Sequence, residues 1–245
     1  MGTWMSHLRI AERLLDRIPG LDPAMFAIGS IGPDSGLPDE KWEHFDPPKK
    51  VSHFEYLEDS SDCADLDFYR RHLADVSPGD ARRYSFLLGY FFHLVTDNLW
   101  LEQIWRPHKA KYEEWLERDR AEFITETKRD WYGQDFIYIR DHPDSYFHRI
   151  FLPAEYDENY LDFMSPAAFK HQLDYIKTFY QRDDEGVRKL YAREYAFLTK
   201  EQMDRFVDEA VGTLIRIYTA VALGRKDTGG YRNSLDLFST NNDGS

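Results

Sequence analysis

The segment Phe92-His93-Leu94-Val95-Thr96-Asp97 sets an imidazole and a carboxylate four residues apart. In a helix, positions i and i+4 lie on one face, one turn apart, so both side chains can reach a single point. Their surroundings are apolar: Tyr84, Phe86, Leu87, Leu88, Tyr90, Phe91, Leu94, Val95, Leu99 and Trp100. Burying two polar groups in such a helix is costly unless both are satisfied. A hydrogen-bonded His–Asp pair would do this, either in the core or facing water at a helix crossing. A divalent metal taking both as ligands would do it too. The spacing alone leaves these readings open.

Three upstream residues bear on the choice. His7 stands at the start of an amphipathic stretch, Asp34 follows Pro33 in a loop rich in Gly and Pro, and His53 lies in Val51-Ser52-His53-Phe54. Taken singly, His7 reads as a solvent-facing helix residue and Asp34 as a turn or cap residue. His53 alone says nothing.

The ordered series is more specific than any member. Ser6-His7-Leu8-x-Ile10-Ala11, Phe26-x-x-Gly29-Ser30-Ile31-Gly32-Pro33-Asp34, Ser52-His53-Phe54 and Phe92-His93-x-x-x-Asp97-x-x-Trp100 together resemble the zinc-dependent phospholipase C family. That family includes secreted bacterial phospholipases C and the amino-terminal domain of glycosylphosphatidylinositol-specific phospholipase D. Its distant kin are single-strand nucleases of the P1/S1 type. The resemblance is clear over about the first hundred residues and weak beyond. It implies an all-α fold in which Asp34, His53, His93 and Asp97 bind one zinc. Asp97 would bridge to a second zinc, also bound by His7. Nitrogen and oxygen donors suit zinc, with iron or manganese as alternatives. The implied reaction is hydrolysis of a phosphoester by metal-activated water, with Asp34 or Asp97 orienting that water or taking its proton.

The chain departs from the family pattern in three places. Trp4 is internal, whereas the secreted phospholipases ligate zinc through an N-terminal Trp. The stretch Asn98-Leu99-Trp100-Leu101-Glu102-Gln103 lacks the histidine that starts a third zinc site. No later His-x-x-x-Glu pattern follows. Asp130, Asp135, His142 and His148 are conceivable substitutes, each equally readable as structural or solvated. The first zinc is well provided for, the second is open, and a third is not expected. His44, His72, His108 and His171 read as surface residues. Cys63 has no activating neighbours, and Gly29, Gly32 and Gly36 do not match a phosphate-cradling loop.

Helical elements must position these groups. Leu8, Ile10, Ala11, Leu14, Leu15 and Ile18 recur at helical spacing up to Pro19-Gly20. A short helix from Asp22-Pro23 to Ile28 leads into the Gly/Pro loop. Further helices are expected from Asp62 to Val76, from Ser77-Pro78 through the central apolar run, and over Lys109 to Arg129 with continuation past Trp131. Two more start at Ser165-Pro166 and at the capping box Thr199-x-x-Gln202, the last reaching about Leu223. This amounts to one all-α domain of roughly seven to nine helices over residues 1–225. Residues 226–245, rich in Gly, Asn and Ser, are expected to be a flexible tail. Leu37 to Lys50 and Tyr146 to Tyr160 are left unassigned, and either could form a lid.

With 42% hydrophobic and 31% charged residues, the 245-residue chain reads as globular. Its net charge of −13 argues against general affinity for nucleic acid or anionic membrane. A metal can still invert the field at one site, so a phosphoester or lipid headgroup substrate remains admissible. One cysteine and no recognisable leader point to a cytoplasmic protein without a stable membrane anchor. A different class stays open beside the hydrolase: a helical metal-binding or interaction protein that keeps the site without turnover. A nuclease-like phosphodiesterase is a third reading.

Overall fold

The computed structural model describes residues 1–41, 43–55 and 62–239. The chain is all-α, with twelve α-helices among the described residues and one two-stranded pair. At its centre lies α5 (Ala81–Trp100), in which every residue from Tyr84 to Trp100 is buried. A helix apolar all round needs neighbours on every side. Here α2 (Pro23–Gly29), α1 (Trp4–Leu15), α4 (Asp65–Phe68), α11 (Lys200–Ile217) and α12 (Ser234–Ser239) all pack against it.

The closest of these contacts is made by glycines. A Cβ on Gly29 would fall 2.0 Å from the carbonyl oxygen of Phe86, and one on Gly89 would fall 2.5 Å from that of Phe26. No side chain fits at either position, so α2 and α5 meet backbone to backbone. Asp22 caps α2 by accepting from Met25 N at 2.9 Å, with Pro23 as first helical residue. Thr3 caps α1, its side chain accepting from Ser6 N. The α1 face His7, Ile10, Ala11, Leu14 is buried at helical spacing.

Several boundaries differ from expectation. Asp80, not Ser77, caps α5, accepting from Arg83 N. Ser77 instead closes the preceding turn on Gly79 N. The outer segment expected as one helix over Lys109 to Arg129 is split into α6 (Arg106–Lys111), α7 (Glu113–Arg118) and the start of α8 (Arg120–Asp141). The breaks fall at Tyr112 and Asp119, both of which leave helical geometry, and Asp119 caps α8. These breaks, with short helices such as α3 (Lys49–Ser52) and α10 (Glu185–Tyr191), lift the helix number above the expected range. The expected starts of α9 (Pro166–Tyr180) and α11 hold: Ser165 caps one, and the Thr199–Gln202 capping box opens the other.

The segment after Asp227 is not frayed where it is described. Within it α12 buries Ser234 and Leu237. Its anchor is the buried Asp65 carboxylate, which accepts from Ser234 N at 3.0 Å and from Asn98 Nδ2 at 2.9 Å. Residues 240–245 of that tail lie outside the described residues. Of the four histidines read as surface residues, His44 is exposed, His72 and His171 are half-buried, and His108 is buried against Tyr112 and Phe197. From Leu37 the chain forms a small antiparallel pair, β1 (Leu37–Pro38) with β2 (Phe45–Asp46).

Candidate metal centre

Five side chains named from the sequence meet at one point. His93 and Asp97 project from α5, and His7 comes from α1. Asp34 ends a 3₁₀ turn, Gly32–Asp34, that follows α2, and His53 directly follows α3. Ligand atoms of His7, His93 and Asp97 lie within 4.8 Å of one another, and so do those of Asp34, His53 and His93. His93 belongs to both groups.

Asp97 sits among the three imidazoles. Its Oδ1 is 3.4 Å from His7 Nε2, and its Oδ2 is 3.4 Å from His93 Nε2 and 3.6 Å from His53 Nε2. Asp34 Oδ1 lies 3.2 Å from His53 Nε2. The rings of His7 and His93 stack with centroids 3.9 Å apart. None of these approaches has hydrogen-bond geometry. Nε2 of His7, His53 and His93 and Oδ2 of Asp97 are buried with no hydrogen-bond partner.

Four orphaned polar atoms converging in one buried place are expensive, since each keeps its desolvation cost uncompensated. Metal ions would take these atoms as donors, in two overlapping groups rather than one. The outer nitrogens are tied in a way that suits this. His93 Nδ1 is 2.9 Å from the Ser30 carbonyl oxygen, so Nδ1 carries a proton, and once the ring is neutral Nε2 keeps the lone pair. Ser52 Oγ donates to the Lys49 carbonyl and lies 3.1 Å from His53 Nδ1, which therefore donates to it. His53 Nε2 is then also a free lone pair. Ring nitrogens fixed this way are the usual support of metal-ligating histidines. The donor set of three imidazoles and two carboxylates suits zinc.

The electrostatics agree. Burial and then the stacked His93 push His7 down to about 4. Burial would raise Asp34, but His53 against it and His93 nearby hold it at about 2. Burial likewise opposes charge on Asp97, yet His93 and its other neighbours keep its carboxyl well below the usual range. Burial opposes charge on His93 too, but Asp97 beside it raises the imidazole above 6.5. With both carboxylates ionised and His7 neutral, the cluster offers anionic oxygens that a dication would neutralise.

A cleft of about 490 Å³ opens onto two of the five, Asp34 and His53. Trp4, Tyr132 and Tyr175 stand along it, with Phe45, Pro47 and Lys49 from the β2–α3 segment and Lys128 from α8. His7, His93 and Asp97 lie beneath, each no more than 2% exposed.

The four conceivable substitutes for a third metal site are elsewhere. Asp130 accepts from Arg193 Nε and Phe197 N, and Asp135 accepts from Thr3 Oγ1 and Tyr180. His142 is exposed on Tyr138, and His148 lies against the Ile139 carbonyl. Asp135 nevertheless matters to the site, because it holds the residue that caps the helix carrying His7. Three contributors had no signature in residue spacing. Gly2 N donates to Asp97 Oδ1 at 2.9 Å, and Ser30 and Ser52 fix the imidazoles. Only Ser52, adjacent to His53, could have been suspected.

A family model described as zinc dependent phospholipase C matches residues 6–219, a span that contains all five clustered side chains. No curated protein and no solved structure matches the chain.

Proposed function

The chain belongs to the zinc dependent phospholipase C family, and from that premise we propose that it hydrolyses phosphoesters at the five-residue cluster beneath the cleft. Four partnerless buried donor atoms at the foot of an open cleft carry this reading. In it His53, His93, Asp34 and Asp97 hold one zinc, and Asp97 and His7 hold a second. Bound zinc supplies a Lewis acid for the phosphoryl oxygens and makes water a competent nucleophile near neutral pH.

The chain's own residues then divide the remaining work. Asp34 is the carboxylate of the set that lines the cleft. Held at about 2, it is ionised throughout the neutral range and serves as a hydrogen-bond acceptor. Its Oδ2, away from His53 Nε2, orients the attacking water and takes its proton as the bond from that water to phosphorus forms and the ester bond breaks, and the leaving oxygen departs as the alcohol with that proton. Asp97 is buried, with Oδ1 engaged by Gly2 N, so it holds position and charge and stays out of proton transfer. Ser30 and Ser52 keep two imidazoles in the tautomer that presents Nε2 inward. Trp4, Tyr132 and Tyr175 narrow the approach and bind the apolar part of the substrate. The cleft favours catalysis over a purely structural metal, since a closed structural site needs no opening at Asp34.

Metal analysis of protein purified without added metal tests the first half, with one or two equivalents of zinc expected. Turnover of bis-(p-nitrophenyl) phosphate and of short-chain phosphatidylcholine tests the second. Asp34→Asn should lower kcat by about 100-fold or more while zinc is retained. Full activity in Asp34→Asn, or in His93→Ala, would remove the cluster from the reaction.

A further inference from the structure

We propose that the cleft selects phosphoesters bearing a second anionic group beside the scissile phosphate and disfavours cationic headgroups such as choline. The proposal deepens the hydrolase reading and rests on it for the position of the scissile phosphate.

A second hollow, of about 530 Å³, shares Met1, Gly2, Thr3, Lys49, Lys128 and Tyr132 with the cleft over Asp34. Six shared lining residues make the two one continuous groove. Arg120 lines its far half beside Trp105 and Trp131. The groove walls therefore carry three cations, Lys49, Lys128 and Arg120, and one carboxylate, Asp34, which is turned against His53. This reverses the balance of a chain with 44 acidic and 31 basic residues. Some basic side chains of the fold are engaged by carboxylates, as Arg82 is by Glu158 and Arg193 by Asp130. Lys49, Lys128 and Arg120 make no ion pair among the described residues.

Their placement separates them from the metal cluster. Lys49 opens α3, three residues before Ser52, and Lys128 lies one turn before Tyr132 on α8. The scissile phosphate would be neutralised at the buried cluster. The cations along the groove would then face whatever the phosphate is esterified to. A trimethylammonium group there would meet like charge with no carboxylate available to offset it. A second phosphate or a carboxylate would meet complementary charge. The aromatic walls can hold a ring or an alkyl stem in either case, so the charges decide between substrates. All three cations are exposed and screened over about 8 Å at physiological salt, which sets the preference near tenfold rather than thousandfold.

Zinc-loaded protein titrated with myo-inositol 1,4-bisphosphate and with phosphocholine at one ionic strength tests this directly. Binding of the bisphosphate should be about tenfold tighter, and the margin should shrink as salt rises. The Lys49→Glu/Lys128→Glu double variant should bring the two ligands to parity, with zinc content and melting temperature unchanged. Equal or tighter binding of phosphocholine to the wild type overturns the proposal. So does a preference that survives the double variant. Turnover of dihexanoyl phosphatidylinositol 4-phosphate against dihexanoyl phosphatidylcholine is read separately. No turnover of either, with the binding preference intact, sinks the hydrolase reading and upholds the selectivity of the groove.

Discussion

His93 Nδ1 donates to the carbonyl of Ser30 across 2.9 Å, a bond from the middle of one buried helix to the end of another. It exists because Gly29 and Gly89 let α2 and α5 touch through their backbones. The acceptor is a main-chain atom, so it cannot be deleted by substitution, but it can be moved. Gly29→Ala would place a methyl group 2.0 Å from the Phe86 carbonyl oxygen and force the helices apart. Overpacking of this kind costs about 1–3 kcal/mol or more. Loss of an imidazole's outer partner typically weakens metal binding by about 10–100-fold. We expect Gly29→Ala to lose both stability and zinc affinity, whereas Gly212→Ala, in open space, should keep the affinity. Wild-type zinc affinity in Gly29→Ala would mean that His93 is held by something other than this contact.

Removing the metal should loosen the core. With zinc bound, the orphaned Nε2 atoms and Asp97 Oδ2 gain a partner, and a ligand that binds only the folded state stabilises it. At free zinc about 100 times Kd that gain is about 2.7 kcal/mol per site. A chelator should therefore lower Tm by several degrees, and added zinc should restore it. Asp97→Ala removes the carboxylate shared by three imidazoles and should abolish the zinc-dependent gain altogether. His7→Ala should keep one equivalent of zinc, because Asp34, His53, His93 and Asp97 remain. Complete metal loss in His7→Ala would show that His7 belongs to the primary site.

Zinc binding should release protons in a defined window. Ligation needs neutral imidazole. Without metal, burial opposes charge on His93 but Asp97 beside it holds the imidazole above its ordinary range, so the ring keeps its proton to higher pH than a free imidazole does. Zinc must displace that proton, and affinity rises with pH until His93 is neutral, then levels off. His7, near 4, is already neutral across this range and releases nothing until the medium is far more acidic. Calorimetry at pH 6.5 in buffers of different ionisation enthalpy should give a heat that depends on the buffer, and the dependence should fade as the pH is raised. A buffer-independent heat at pH 6.5 would contradict a charged His93.

The chemistry of the site was more legible than its supports. The i, i+4 register of His93 and Asp97, and the order of His7, Asp34 and His53, were visible because candidate ligands are side chains with distinctive types. His7, which taken singly reads as solvent-facing, is instead buried on the face it shares with Ile10, Ala11 and Leu14. The supports were not visible, because most act through the backbone: Gly2 N on Asp97, the Ser30 carbonyl on His93. Asp130 and Asp135 resemble ligands in sequence and turn out to hold Arg193 and Thr3, a distinction only tertiary contacts make. The C-terminal segment was misjudged for a related reason. A six-residue helix is too short to be stable alone, so local pattern gives it no weight. What holds it is a carboxylate 169 residues earlier in the chain.

That carboxylate should leave a signature in the pH dependence of folding. Burial pushes Asp65 up to about 8, against the pull of the Ser234 and Asn98 donors. In the unfolded chain it returns to 3.8. The folded state therefore holds the proton more tightly, so the contribution to stability is complete below about 4 and is lost as pH rises towards 8. Asp65→Asn is neutral throughout and should flatten the profile across that window. It should also lower overall stability by about 1–3 kcal/mol, because both Asp65 oxygens accept from Ser234 and an amide offers only one acceptor. Denaturant melts from about pH 4 to pH 8, with metal held constant, separate the two effects. If wild type and Asp65→Asn lose stability in parallel over that range, Asp65 is not the group that titrates.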